Sequence, residues 1–407
     1  EGMLEKRGDC MKLLVITPMY EIVGRPDLTY DTAAIHYLLK YHPADTEVLV
    51  IYTYFSPLRE IGRYASPEAR RRYREHTRYV CDGIPVELIE TQLLVKKLPL
   101  SAWQCRRLTG EILDVLKKRG FAPDKIVCHL PNYRSIQFID KIPAPEKIAV
   151  LHNSDVRRLR RDPGYRRLLE HRFQRCYARS HSVYREFSGL KNLCPEILSS
   201  GVILPSNDGE RCWDFPPQRT VKLLYVGKLI KRKHVDLVLR AMAALSGRHS
   251  LQLTILGGGK ELPRLQALAE QLGISPQVAF LPAVPHAQVF AHMAQADIFV
   301  MPSVNETLGL VYLEAMAMGC LTIGTKGEGI DGILTDGVNG FLTEPTAQAL
   351  ADTLERIFAL GQDGRSACAR GALETARAHE ESKMGTFYFR TIQGSTPPRL
   401  ACNDPAL

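Results

Sequence analysis

The chain has 407 residues, too many for one ordinary core and suited to two domains of roughly 150–200 residues each. No apolar run reaches the roughly 18–20 residues that a bilayer-spanning helix needs, which excludes a polytopic membrane protein. The formal net charge of +9 is lopsided: residues 1–200 carry 34 Lys+Arg against 24 Asp+Glu, and the remainder 19 against 20, so the first half calls for an acidic partner.

The ten cysteines are scattered without CxxC or Cys/His ligand spacing, which indicates neither a zinc site nor a disulfide framework. Scattered thiols belong to a reducing compartment, where most are small buried hydrophobes. The opening EGMLEKRGDC mixes charges of both signs, and MKLLVI behind it is too short for a signal peptide. A cytoplasmic protein is expected, placed peripherally on the inner face of the membrane if its basic half docks there.

Residues 1–10 read as a disordered extension, with Met11 a candidate start. KLLVIT (12–17) is a continuous apolar run, the pattern of a parallel strand buried on both faces. After a loop through Gly24, helical spacing over 31–41 starts at Asp31 as a cap, and EVLVIY (47–52) is a second strand. Residues 59–80 are basic and interleaved with Tyr. Residues 108–119 have amphipathic helical spacing, KIVCHL (125–130) and KIAVLHN (147–153) are strands, and 156–185 is the densest basic segment, holding Arg157, Arg158, Arg160, Arg161, Arg166, Arg167, Arg172, Arg175 and Arg179.

A turn-rich stretch from Gly201 to Gln218 reads as a linker. Behind it, VKLLYVG (221–227), LQLTILG (251–257), VAFLP (278–282), DIFVMPS (297–303), CLTIGT (320–325) and GFLTEP (340–345) alternate with helices over 234–245 and 261–273. Closing helices occupy 346–360 and 365–390. The fold class is therefore α/β, with two doubly wound domains: 11–205, then a linker 206–219, then 220–375. A closing helix over 376–393 is expected to cross back to the first domain, and 394–407 to be a disordered tail.

Chemistry concentrates in the second half. NETLGLVYLEAMAMG (305–319) reads as a short helix, apolar on nearly every side, with Glu306 before it and Glu314 inside it. Free amides at such a helix start attract phosphate, and Gly309 permits close approach of a ligand. Alternatively, Glu306 complements the helix dipole and Glu314 is a paired core acid. In VGKLIKRKHVD (226–236), Lys228 and Lys233 follow a strand on one loop and can meet a phosphate as point charges, with Lys231 and Arg232 as surplus charge. LGGGKEL (256–262) fits a dinucleotide fingerprint poorly, because its third glycine falls at Leu262; it reads as a tight strand-to-helix turn.

In order, VGKLIKRKH, LGGGKE, ADIFVMPS, NETLGLVYLEAMAMGCLTI and DGVNGFL resemble the retaining GT-B glycosyltransferases of family 4 across about residues 220–345. The resemblance implies a GT-B architecture, two Rossmann-like domains facing across a cleft. It implies transfer of a sugar from a nucleotide diphosphate sugar, UDP- or GDP-linked, to an acceptor hydroxyl with retention at the anomeric carbon. Lys228, at a place where the family usually has Arg, and Lys233 would hold the donor diphosphate, with Gly227 beside them. Glu306 would face the donor sugar, and the amides of Thr307, Leu308 and Gly309 would cradle the diphosphate. Glu314 would accept hydrogen bonds from the ribose, and Val284 would lie beside the base. His152, in LHNSD, would lie near the donor sugar. His129, Asp155 and Gly24 stand on the acceptor side, in a first half that resembles the family less. Leu308 replaces a common Phe and His234 the usual Gly.

No DxD motif occurs, so a metal-independent enzyme with no cofactor is expected: Lys228, Lys233 and the helix start oppose the charge that grows on the leaving diphosphate. The resemblance implies that the leaving phosphate deprotonates the acceptor, so Glu306 is not a nucleophile. The acceptor is a glycan or lipid-linked glycan in polysaccharide or glycolipid synthesis, and the arginine-rich segments suit an anionic membrane surface. Nucleic acid is not expected as a partner, because no nucleic-acid-binding fold accompanies the charge. The alternatives are a catalytically weak GT-B-like scaffold that binds nucleotide or glycan, a glycosidase using the two acids, and a nucleotide-sugar epimerase.

Overall fold

The computed structural model describes residues 10–20, 34–57, 77–93, 99–132, 134–205, 213–216 and 218–394. The chain divides into two compact units: Glu1–Arg179 with Val183–Gly201 and Ser382–Leu407, and Ser180–Ser182 with Val202–Glu381. Among the described residues no helix is long and apolar enough to cross a membrane.

The first unit begins with β1 (Met11–Thr17), α1 (His36–Leu39), β2 (Thr46–Pro57), β3 (Arg78–Cys81), β4 (Ile84–Leu93) and α2 (Ala102–Arg119). It continues through β5 (Lys125–His129), β6 (Glu146–Leu151), α3 (Asn153–Arg161), α4 (Gly164–Arg172), β7 (Arg175–Ala178), α5 (His181–Phe187, whose first two residues fall in the second unit) and β8 (Leu193–Ile197). The strands form one sheet in the order β3-β4-β2-β1-β5-β6-β7-β8, parallel except for β3. β1 explains the apolar run of its sequence. Leu14 and Ile16 pack into the core on one face of the sheet, and Leu13 and Val15 into the core on the other. Both faces being covered, the central residues Leu13 to Ile16 are all apolar.

Two helices differ from their sequence reading. α2 starts at Ala102 rather than 108, because Ser101 accepts from the Gln104 amide while the Gln104 side chain accepts from the Ser101 amide, a capping box six residues upstream of the amphipathic run. The helix expected over 31–41 is described only as α1, His36–Leu39, and its proposed cap Asp31 lies outside the described residues. So do Gly24, most of the basic segment 59–80 and the tail beyond Gly394.

The second unit contains β9 (Val221–Val226), α6 (Val235–Leu245), β10 (Leu251–Leu256), α7 (Leu262–Gln271), β11 (Val278–Leu281), α8 (His286–Gln295) and β12 (Ile298–Val300). It ends with α9 (Leu310–Ala317), β13 (Leu321–Thr325), β14 (Phe341–Thr343), α10 (Ala347–Ala359) and α11 (Gln362–Ala378). The last helix, α12 (Glu381–Gln393), belongs almost wholly to the first unit. The second sheet is all parallel, in the order β11-β10-β9-β12-β13-β14. That order winds outward in both directions from the β9/β12 pair, so the loops after these two strands leave to opposite faces and open a crevice between them.

Candidate active site

The crevice at the carboxyl ends of β9 and β12 is lined by the residues that the sequence singles out in this half. The loop after β9 carries Gly227, Lys228 and Lys233; the loop after β12 carries Ser303, Glu306 and the start of α9. The GGG turn sets the first of these loops in place. Gly227 N donates to Leu256 O, Leu229 N to Gly258 O and Glu261 N to Leu229 O. A side chain at Gly257, where φ is 145°, would put its Cβ 2.1 Å from Gly227 O. The reading of LGGGKEL as a tight turn holds: its glycines let two backbones touch.

Glu306 is the hub. Its Oε2 accepts from Lys233 Nζ at 2.5 Å, from Arg232 Nη1 at 2.9 Å and from Ser303 Oγ at 3.1 Å. Burial pushes the Glu306 carboxyl up, but Lys233 and then Arg232 outweigh it and hold the acid below its ordinary value. Burial pulls the Lys233 ammonium down, against the opposing pull of Glu306. The pair is thus a buried ion pair with one acid facing two cations. Arg232, surplus by sequence, is instead a direct partner of Glu306. Lys228 differs from Lys233: it is exposed and its ammonium has no partner among the described residues.

Behind Glu306, α9 begins at Leu310 with Gly309 as N-cap at φ 77°. A Cβ there would lie 2.8 Å from the Tyr312 ring, so glycine is required both for conformation and for room. The amides of Thr307, Leu308 and Gly309 have no acceptor among the described residues, whereas the Glu306 amide donates to Glu328 Oε2 at 3.0 Å. The Leu308 side chain is buried in the core, which explains why an apolar residue stands there. Glu314, one turn into the helix, accepts from His286 Nε2 at 2.9 Å. That bond raises the His286 pKa, against the opposing effect of burial. Val284 packs against the core two residues before His286.

His234 adopts φ 49° and ψ 40°, the left-handed conformation that only glycine takes freely. Here is the physical meaning of the Gly that His234 replaces. His234→Gly is expected to stabilise the second unit by about 0.5–1 kcal/mol, relief of strain exceeding the entropy that glycine loses. Urea unfolding checks it, and a lower midpoint contradicts it.

In the first unit, the ends of β5, β6 and β7 carry His129, His152 and Arg179. His129 is fully buried; its Nε2 lies 3.0 Å from Tyr388 Oη and its Nδ1 3.5 Å from the Nε2 of half-buried His152. Burial, then the Arg179 charge, depresses both histidines well below their ordinary pKa. Asp155 is fully buried, and its oxygens accept from Asn132 N (3.0 Å), Tyr165 Oη (2.7 Å) and His152 N (2.8 Å). Burial raises its pKa to about 6, against the opposing effect of those bonds. Asp155 therefore holds the turn that presents His152, and neither it nor His129 offers a surface to an acceptor in this structure.

These shifts set a pH dependence. Below pH 6.5 the unfolded chain protonates His129 and His152 while the folded chain does not, so stability falls as pH falls; below pH 6 folded Asp155 takes up one proton and offsets one of the two. The expected net effect is a loss of stability on acidification below pH 6.5, less steep once Asp155 takes up its proton. Urea midpoints at a series of pH values measure it, and a midpoint that rises on acidification contradicts it.

Of the ten arginines in 156–185, Arg158, Arg160, Arg172 and Arg175 pair with Asp162, Glu186, Asp140 and Glu146, and Arg179 is buried. The free charge of that segment is smaller than its sequence suggests.

Comparison with known proteins agrees with this geometry. Residues 215–373 match the family model of the glycosyl transferases group 1. The chain is 40% identical over 136 residues to a D-inositol 3-phosphate glycosyltransferase of Corynebacterium jeikeium, covering 31% of this chain and 32% of that protein. It is 34% identical over 156 residues to a GDP-mannose-dependent alpha-(1-6)-phosphatidylinositol monomannoside mannosyltransferase of Mycolicibacterium smegmatis, covering 34% and 41%. The chain thus spans well under half the length of these relatives. Anabaena HepE in complex with UDP superposes with a TM-score of 0.65 at 16% identity, over 94% of this chain and 100% of that one. The fold is GT-B, and the match to the group 1 glycosyl transferase model lies within the second unit.

Proposed function

We propose that the protein is a retaining, metal-independent glycosyltransferase that moves a sugar from a nucleotide diphosphate sugar to an acceptor hydroxyl. The observation that carries this reading is Glu306, held by Lys233 and Arg232 beside three unfilled amides at the start of α9. Such amides, with the positive end of a helix behind them, bind phosphate. Lys228, exposed and without a partner among the described residues, can take a second oxyanion. As the glycosidic bond breaks, negative charge grows on the diphosphate, and these fixed cations and amides oppose it without reorganising.

Glu306 has the shape of a hydroxyl acceptor with its charge already balanced. With three donors on one oxygen it is a poor nucleophile, which favours a route in which the leaving phosphate takes the acceptor proton on the same face. Glu314 is assigned to the ribose, where the hydroxyls must compete with His286, so donor affinity should rise as pH rises through the raised His286 pKa.

The donor base is uracil or guanine: a UDP-bound structure shares the fold, and a GDP-mannose-dependent enzyme is among the relatives. The acceptor is a phosphorylated, lipid-linked or glycan hydroxyl compound, as the names of the relatives suggest. The first unit is proposed to meet an anionic membrane surface through Arg157, Arg161 and Arg167, with exposed Trp103 as an apolar contact. Co-sedimentation with anionic vesicles that vanishes at high salt tests that part.

The reaction itself is tested by incubating the purified chain with UDP- and GDP-sugars and following nucleoside diphosphate release. Donor-specific release supports the reading. Tight donor binding with no release or transfer in the presence of glycan and lipid acceptors would instead leave a nucleotide-binding scaffold.

A further inference from the structure

Arg179 is an anomaly that glycosyl transfer does not account for. It follows β7 directly, and its side chain is only 4% exposed. Of the five N–H groups of a guanidinium, one on Nη1 donates to Leu198 O at 2.6 Å and one on Nη2 to Ser200 Oγ. The other three have no partner among the described residues, and no described carboxylate pairs with the charge. A buried cation without a counter-ion is unstable in the absence of something to balance it. Burial accordingly depresses even this guanidinium, to about 10.

The neighbourhood is built to receive a negative charge rather than to supply one. β5, β6 and β7 are adjacent and parallel, so His129, His152 and Arg179 stand side by side at the carboxyl edge of the sheet, where open α/β sheets bind ligands. The Arg179 amide donates to Leu151 O, which fixes it beside the His152 turn. His129, His152 and Tyr388 form a neutral chain of hydrogen-bonding groups. The acid of this edge, Asp155, has both oxygens committed to Asn132, Tyr165 and His152.

We propose that Arg179 and His152 form an oxyanion-binding site within the first unit that takes a phosphate group. The planar guanidinium presents its unused donors to two oxygens of one tetrahedral anion, a geometry that lysine does not reproduce. This assignment uses residues of the first unit alone and stands whether or not the protein transfers a sugar. The phosphate has two sources, a phosphorylated acceptor or the diphosphate of a nucleotide.

The test is a titration of the full chain, labelled at its histidine rings, with inorganic phosphate. The His152 and His129 resonances, assigned by single His→Gln replacements, are expected to shift saturably at millimolar phosphate, and the melting temperature to rise with it. In Arg179→Met the histidine shifts should vanish, while the melting temperature without phosphate should equal or exceed that of the parent, because an unbalanced charge is gone. Lys228→Ala should keep the histidine shifts, which separates this site from phosphate bound at α9. Arg179→Lys keeps the charge but not the fork, and should weaken phosphate about tenfold. Unmoved histidine resonances in the parent chain, or full shifts in Arg179→Met, overturn the proposal. A nucleoside diphosphate titrated in place of phosphate then names the source: saturable histidine shifts assign the site to the nucleotide, and unmoved histidines to a phosphorylated acceptor.

Discussion

Lys233→Ala is expected to lower sugar transfer by about a hundred- to a thousandfold, ~2.7–4 kcal/mol of transition-state stabilisation, while both units stay folded. The fold survives because Glu306 keeps Arg232 and Ser303 as donors, so no carboxylate is left bare. Activity is expected to be lost, because the buried ammonium is the cation fixed nearest Glu306, the acid proposed to meet the donor sugar. The loss should fall on kcat, since charge on the leaving group is greatest in the transition state. Glu306→Gln should cost as much by a different route. The amide cannot balance Lys233 and Arg232 together, and two unneutralised cations would pull the donor out of register. Steady-state kinetics on both variants, with circular dichroism to confirm folding, decides the matter. Near-normal turnover in either removes the assignment.

Gly329→Ala is expected to unfold the same region from behind. A Cβ at Gly329 would stand 2.2 Å from Thr307 O and 2.6 Å from Glu306 O, both rigid backbone atoms. The loop cannot retreat cheaply, because Glu328 beside it holds the Glu306 amide and Ile330 is buried in the core. A loss of about 3 kcal/mol or more should follow, in the range of strained or overpacked sites. Donor affinity should fall with it, as the amides of Thr307 to Gly309 move. Chemical denaturation and donor titration measure the two effects, and a variant as stable and as tightly binding as its parent contradicts the account.

The parts of this protein that could be read from sequence are those in which one local pattern has one physical cause. The apolar runs of β1, β9 and β12 are parallel strands covered on both faces, and the motif order from VGKL to GVNGFL predicted the second unit closely. The strand order that brings the Lys233 and Glu306 loops together was legible only through the resemblance, because pairing between distant strands leaves no local trace. The capping box of α2 was available in Ser101 and Gln104 but was masked by the stronger amphipathic signal further on.

Long-range partners were not legible. Glu328 bonds an amide 22 residues away, and His286 a carboxylate 28 residues away; neither spacing is periodic. Arg232 was misjudged because a run of four basic residues looks uniform, whereas the short turn at Lys231–Lys233 sends Lys233 inward, leaves Lys231 exposed and lays Arg232 against Glu306. Asn339, in the GVNGFL motif, serves the fold instead: its side chain accepts from Thr335 N and donates to Ile333 O and Thr375 Oγ. Arg179, one of ten arginines in a basic stretch, gave no sign of being the one that is buried.

Glu306 and Glu314, level on sequence alone between ligand chemistry and helix electrostatics, now have separate surroundings: two cations and a serine for one, a histidine for the other. The most direct measurement of the central claim is a thermal-shift panel of UDP- and GDP-sugars on the parent chain and on Lys233→Ala. A bound donor stabilises by mass action, by about 2.7 kcal/mol at a hundred times its Kd. The account predicts a clear rise with at least one donor in the parent and its loss in Lys233→Ala; equal shifts in both proteins, or none with any nucleotide sugar, would contradict it.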